Sequence, residues 1–255
     1  NDSSKSATIP ASEQPAVYPA TGDPKRTSDN GDEKVGPRYH GDLDNENTGT
    51  GTIKWPDKGF YKGSIVEGKS HGKGHMLFPD GRRYSGQFFH GNMHGNGKLH
   101  WPDGSFYSGE FINNVAAGRG HYTATNGERF EGTFVDERPH GYGSLIKANG
   151  DNYIGEVRRG GIEGRGTLTF AAGGLYEGEF KAGKPHGEGR RVWPDGRVYT
   201  GLWESGVQHG PGDITFENGD RLSGIFEQGT LHGVGSCTTK GLEAPCTFFH
   251  GERLN

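Results

Sequence analysis

The sequence predicts an all-β fold, an elongated single-layer antiparallel meander of short hairpins behind a polar extended arm. Three observations predict it. A tyrosine or its replacement recurs every 23 residues, at Tyr61, Tyr84, Tyr107, Phe130, Tyr153, Tyr176, Tyr199 and Leu222. A glycine stands two residues after each of them, from Gly63 to Gly224. Within one unit, Tyr176, Gly178 and Phe180 alternate with Glu177, Glu179 and Lys181, the period of two that marks a half-buried strand.

Composition supports a thin sheet over a globule. The 255 residues include 48 glycines and only 29% hydrophobic residues, too little apolar mass for a thick core. Aromatic residues at 11% are too many for a disordered chain. The formal net charge of −4 argues against a nucleic-acid binder, whose binding domain is usually basic. Two cysteines, Cys237 and Cys246, make no disulfide framework, and their scarcity suits a reducing, cytoplasmic compartment. Cys237 falls in an apolar slot, where a small packed residue is expected. No run of 18 apolar residues occurs, so no membrane-spanning helix is expected.

In chain order, residues 1–38 are rich in Ser, Asp, Pro and Ala without an apolar period. They read as an extended, disordered arm, with a tether lying along a partner or along the chain's own repeats as the alternative. Nine units then occupy residues 39–244, with starts at 39, 61, 84, 107, 130, 153, 176, 199 and 222. The first is imperfect: Tyr39-His-Gly41, then Gly49-Thr-Gly51, then Trp55-Pro-Asp57. From the second unit on, the fifth position is always apolar: Ile65, Phe88, Phe111, Phe134, Val157, Phe180, Trp203 and Phe226. In the second half of a unit, Gly187, Gly189, Arg191 and Trp193 share a face. The Arg191 slot is held elsewhere by Met76, Leu99, Tyr122, Leu145, Leu168 or Ile214. Turns are expected at Gly183-Lys-Pro-His186 and Pro194-Asp-Gly196. An aromatic ring on one strand can lie over a glycine on the next and cover its bare backbone. With strands about 4.8 Å apart, two per unit, the sheet would extend on the order of 80 Å. Residues 222–255 read as a cap, because Leu222 replaces tyrosine and the segment Cys237–Cys246 lacks the aromatic-Pro-Asp-Gly ending. Residues 245–255 form its C-terminal tail.

The pattern Tyr-x-Gly, a glycine five later, His-Gly-x-Gly and a closing Asp-Gly or Asn-Gly resembles the MORN repeat (membrane occupation and recognition nexus). The likeness covers about residues 39–244. Departures are Asn114 and Glu137 at the second glycine, Ala117 and Glu163 at the histidine, and Leu222 at the tyrosine. The resemblance implies a non-enzymatic scaffold that assembles with other proteins. Similar arrays occur in radial spoke heads of the ciliary axoneme, in protist cytoskeletal proteins, in junctophilins at membrane contacts and beside plant phosphoinositide kinases. WPDGSFYSGEF (101–111) is most similar to the radial spoke head version. That implies a cytoplasmic, cytoskeletal or axonemal site, with a peripheral membrane module as the alternative.

Several residues invite chemistry. Gly63 to Ser70 match the phosphate-loop pattern GxxxxGK[ST], but these glycines are register positions and no helical period follows. His71, His94, His140, His186, His209 and His232 share one slot. Successive members would lie two strands apart, about 9–10 Å, too far to share one ion. No catalytic set, metal site or cofactor is therefore expected. Phe88, Phe111, Phe134, Phe180, Trp193 and Trp203 are expected to line a groove for a partner segment. Lys54, Lys58, Lys62, Lys69, Lys73, Arg82 and Arg83 form a candidate patch for an anionic partner. That partner would be an acidic protein or an anionic lipid, including phosphoinositides. A homodimer is a further candidate assembly.

Overall fold

The computed structural model of the protein describes residues 36–254. Most of the proposed arm, through residue 35, lies outside the described residues. Twenty antiparallel strands and no helix occur among the described residues. They fall into two compact units, one ending at His140 and the other beginning at Gly141.

The first unit holds β1 (Arg38–Leu43), β2 (Gly49–Trp55), β3 (Gly59–Val66), β4 (Lys69–Leu77) and β5 (Arg83–Phe89). It continues through β6 (Asn92–His100), β7 (Phe106–Ile112), β8 (Val115–Thr123) and β9 (Arg129–Val135). β10 (Arg138–Ile146) begins three residues before the boundary. The second unit continues with β11 (Asn152–Arg158), β12 (Gly161–Thr169), β13 (Leu175–Lys181), β14 (Lys184–Val192) and β15 (Val198–Glu204). β16 (Val207–Thr215), β17 (Arg221–Glu227), β18 (Thr230–Thr239), β19 (Leu242–Phe249) and β20 (Glu252–Arg253) complete it. Within each unit every strand pairs with the next in sequence, as in β3 with β4 and β13 with β14.

Each 23-residue repeat from Tyr61 is one hairpin. Its tight turn is a two-residue left-handed pair such as Ala182 (φ 50°) and Gly183 (φ 74°). Both central residues at positive φ define the hairpin turn whose twist matches the flanking strands. The turn is therefore Ala182-Gly183 alone, and Lys184, Pro185 and His186 already belong to β14, one correction to the sequence expectation. Asn114 and Glu137 keep the same geometry at φ 72° and 64°. Asn114 is held by its side chain, which accepts from the Met93 N–H at 2.7 Å and donates to Asn92 at 2.8 Å.

Glycines pair across strands in unbroken rows, Gly63 with Gly74 and Gly74 with Gly86, or Gly178 with Gly189 and Gly189 with Gly201. Tyrosine rings lie on these rows. A Cβ at Gly166 would come within 2.5 Å of the Tyr153 ring. The hydroxyl beyond the ring donates to a carbonyl three residues along its own strand: Tyr153 to Glu156 at 2.7 Å, Tyr176 to Glu179 at 2.9 Å. The tyrosines at 61, 84, 107, 153, 176 and 199 are almost fully buried.

The fifth-position side chains wedge between tyrosines of successive repeats. Phe88 meets Tyr61 and Tyr84 edge-on, each at 5.0 Å, and Phe111 meets Tyr84 at 5.0 Å and Tyr107 at 5.2 Å. In the second unit Trp203 stands between Tyr176 and Tyr199, at 5.2 Å from both. Edge-to-face pairs contribute about 0.5–1.5 kcal/mol each beyond area burial. This zigzag of rings is the core, and Phe88, Phe111, Phe134, Phe180 and Trp203 are buried in it, while Trp193 is buried beside Arg191 and Arg197. The expected aromatic groove is thereby corrected: the five fifth-position rings spend their surface on neighbouring tyrosines, and Trp193 spends its on arginines of its own repeat.

At the C-terminal end, Cys237 and Cys246 are disulfide-bonded and buried. They join β18 to β19, and Cys237 pairs across β17–β18 with Leu222, the residue in the tyrosine position. The expectation of a merely packed Cys237 is corrected on this point. A bridge of this kind stabilises typically by about 2–4 kcal/mol.

Two predictions follow from the tyrosine–glycine contact. Gly166→Ala should cost about 1–3 kcal/mol in urea unfolding, by overpacking against Tyr153. Gly161→Ala, on the same strand, meets nothing nearer than 3.6 Å and should change stability by less than about 0.5 kcal/mol. Equal effects at the two sites would sink the steric account. Alkali is the second test. Burial pushes the Tyr61 phenol up to about 12, and those of Tyr84, Tyr107, Tyr153, Tyr176 and Tyr199 also upward. An unfolded tyrosine ionises near pH ~10. The stability these groups add is therefore fully present below about pH 10 and is lost as pH rises toward their folded values. Phenolate absorbance and loss of the sheet signal should rise together above that pH.

Candidate partner-binding surface

With one face of the sheet filled by rings, the opposite face carries the exposed side chains. On the first unit, β-pairing sets Lys62, His75, Ser85, Lys98, Ser108 and His121 in one cross-strand row. A parallel row holds Lys54, Phe60, Leu77, Arg83, His100 and Phe106. Phe60 and Leu77 are exposed. Lys98 Nζ lies 4.0 Å above the Phe106 ring, with His100 and His121 at 5.4 and 5.8 Å from that ring. Burial, then the charges of Lys98 and Arg83, hold the His100 imidazole below its usual pKa.

The structure sorts the sequence-predicted basic patch. Lys54, Lys62, Lys73 and Arg83 stand exposed on this outer face, while Lys58 and Lys69 are exposed at a turn and at a hairpin end. Arg82 does not join them. It is 5% exposed, packs 4.8 Å over Phe78 and donates from Nε to Asp80 at 2.7 Å. Lys98, His75 and Arg119 complete the basic face and lie outside the predicted stretch or its cation count. The alternation of residues within each 23-residue repeat was the signal that could have found them.

The other motifs resolve into sheet. Gly63 to Ser70 form the β3–β4 hairpin, with Ser70 buried. The slot histidines lie beside hairpin ends, where His71 and His94 flank Phe89 at 5.4 and 5.7 Å. Among the described residues no group of three or more His, Cys, Asp or Glu is placed to hold a metal ion.

On the second unit the outer face has a different character. The glycine row Gly166, Gly178, Gly189, Gly201 and Gly212 floors an open channel of about 980 Å³. Tyr142, Ile154, Leu202 and Pro211 line it with Arg165 and Arg190. Charge here is mixed, and Arg165 reaches Glu179 at 3.4 Å.

One buried cation stands apart on the core face. Arg191 occupies the apolar slot of its repeat, 3.5 Å over the Phe170 ring, with Nε and Nη1 buried and unpartnered. Burial pushes its pKa down to about 10, against the opposing pull of Asp151. Asp151 keeps bonds from Ala171 and Asn149 that do not involve it.

A sheet of repeated hairpins, ringed inside and charged outside, defines a repeat protein of the binding-scaffold class. The chain belongs to the MORN repeat family: matches cover residues 61–82, 84–106, 107–129, 130–152, 153–175, 176–196, 199–221 and 223–240. The hairpin β1–β2 precedes the first match and pairs Gly41 with Gly51 in the same manner. No curated protein sequence matches the chain. Among solved structures, it is similar to the SAS-4 TCP domain of Drosophila melanogaster in complex with a proline-rich motif of Ana2. That likeness has 11% identity and TM-score 0.39 and covers 68% of this chain and 88% of that one. It is also similar to the TCP10 domain of Danio rerio CPAP in complex with a STIL peptide, at 15% identity and TM-score 0.29, over 73% and 92% of the two chains. At this overlap neither bears on partner or activity.

Arg191→Leu places the side chain of Leu99 and Leu168 in the equivalent slot. It should raise the free energy of unfolding in urea by about 1–3 kcal/mol, because an unpaired buried charge is removed. A fall in stability would show instead that the stack on Phe170 outweighs desolvation.

Proposed function

We propose that the protein is a non-catalytic scaffold whose outer sheet face holds other proteins in a larger assembly. The observation that carries this reading is the division of the sheet. The core face consumes its aromatics internally, while the outer face presents Phe60, Leu77, Phe89 and Ile112 to solvent among basic residues. Contiguous exposed apolar residues rimmed by polar ones mark interaction surfaces, and Phe60 and Leu77 are direct cross-strand neighbours. A ciliary axoneme or another cytoskeletal complex is the assembly favoured by the likeness of residues 101–111 to radial spoke heads. The Cys237–Cys246 bond pulls the other way, since disulfides persist mainly in oxidising compartments. Thiol alkylation of the native protein under denaturing conditions decides this point: two free thiols restore the cytoplasmic placement.

Cross-linking of the native assembly should connect Lys62, Lys73 and Lys98 to a stoichiometric partner. Recovery as a free monomer, without such links, would overturn the scaffold. The basic rows favour a second reading, peripheral binding to anionic lipid. Each Lys or Arg near such a surface contributes about 1 kcal/mol. Sedimentation with phosphatidylserine–phosphoinositide vesicles separates the two. Strong, salt-sensitive binding that Lys62→Glu, Arg83→Glu and Lys98→Glu abolish would establish the lipid reading.

A further inference from the structure

The sixth position of each repeat ends its first strand, on the outer face beside the tight turn. In the first unit it holds Val66, Phe89, Ile112 and Val135. Phe89, Ile112 and Val135 are each about half exposed, at 48%, 53% and 47%. In the second unit the same position holds Arg158, Lys181, Glu204 and Glu227. Repeat architecture therefore does not require an apolar residue there. The first unit carries an apolar ridge that the second has exchanged for charge.

The ridge has a defined spacing and two unlike flanks. Successive members lie two strands apart, about 9–10 Å. Toward the sheet interior stand Lys62, Lys73, Lys98 and Arg119, against Glu110, whose carboxylate accepts the Arg119 backbone N–H at 3.0 Å. Toward the turns stand Glu67, Asp136 and Glu137, with Lys69 and Arg138 among them. An α-helix laid across the strands presents one residue every two turns on a line, and seven residues rise about 10.5 Å. That spacing exceeds the ridge spacing by about 0.5–1.5 Å per repeat, and the stripe drifts by about 20° per seven residues, so a helix with a slight supercoil keeps it in register. Amphipathic helices bind partner proteins by burying the anchor residues of their apolar face against exposed apolar side chains.

We propose that this ridge is the seat of an amphipathic helix of a partner protein. The helix has an apolar residue at every seventh position and acidic residues on the flank facing Lys62, Lys73, Lys98 and Arg119. The proposal rests on the scaffold reading and names the partner's chemistry. Exposed aliphatic side chains at Ile112 and Val135 favour a protein over nucleic acid, whose bases stack on rings. At the turns the carboxylates of Glu67, Asp136 and Glu137 outnumber the cations of Lys69 and Arg138, which disfavours an anionic bilayer on this edge.

The test uses the whole chain and a designed helical peptide about 28 residues long, with leucine at every seventh position and glutamates along one flank. Fluorescence anisotropy should show binding that a sequence-scrambled peptide of equal composition lacks. A peptide with lysines on that flank should bind at least about tenfold more weakly. Phe89→Glu with Ile112→Glu should weaken binding by about tenfold or more, as for central anchors, with the thermal midpoint unchanged. Ile154→Glu, on the second unit, should leave it unaltered. Absence of binding, equal binding of the scrambled peptide, or indifference to the ridge substitutions overturns the proposal. Capture of phosphatidylserine vesicles in place of the peptide, lost in the ridge variant, also overturns it. If the ridge variant still cross-links to its native partner, the scaffold reading survives and this inference alone fails.

Discussion

The contact of a tyrosine ring with glycine backbone is the constraint on which the rest depends. A single sheet has no second layer to bury its apolar face. This chain solves the problem within the sheet. Glycine lets a ring lie against the neighbouring strand, as Tyr153 does over Gly166, and the phenol then finds a carbonyl on its own strand at Glu156. The polar tip is satisfied while the ring covers backbone. The next repeat adds Phe180, edge-on to both Tyr153 and Tyr176 at 5.2 and 5.0 Å. Each repeat thus completes the burial of its predecessor, as expected where stability is a sum of repeat and nearest-neighbour terms.

That solution fixes which surface is left open. Rings used for neighbour packing are closed to solvent, and the outer face and the hairpin ends remain exposed. There the repeats are free to differ, because sheet pairing is carried by backbone and by the glycine rows. The first unit uses this freedom for Lys62, Lys98, Phe89 and Ile112, and the second for Glu177, Arg190, Lys181 and Glu204. One backbone pattern therefore presents two chemically distinct surfaces.

Exceptions to the pattern have local compensations. Leu222 cannot make the tyrosine's hydrogen bond, and its cross-strand partner Cys237 is disulfide-bonded to Cys246 on the next strand. Asn114 stands where glycine is usual, and its side chain bonds to Met93 and Asn92 of the preceding hairpin. Arg191 has a weaker compensation. It stacks on Phe170, but two of its nitrogens find no partner.

The sequence by itself determined the repeat, the strand pairs and the ring-over-glycine packing. Period-two alternation and a fixed 23-residue register are local properties, and a ring recurring opposite a glycine leaves one steric solution. The phosphate-loop likeness at Gly63–Ser70 was resolved by that register as well. Only the tertiary structure decided which aromatics remain available. Phe88 and Phe89 are adjacent in sequence, yet one is buried between two tyrosines and the other stands in solvent. The basic surface was likewise only half legible. Counting charges along residues 54–83 included Arg82, which turns inward onto Phe78, and missed Lys98 and Arg119, which cross-strand pairing brings alongside. The Cys237–Cys246 pair required the β18–β19 register. Alternation along one strand tells which way a side chain points, but neighbours across strands decide what it meets.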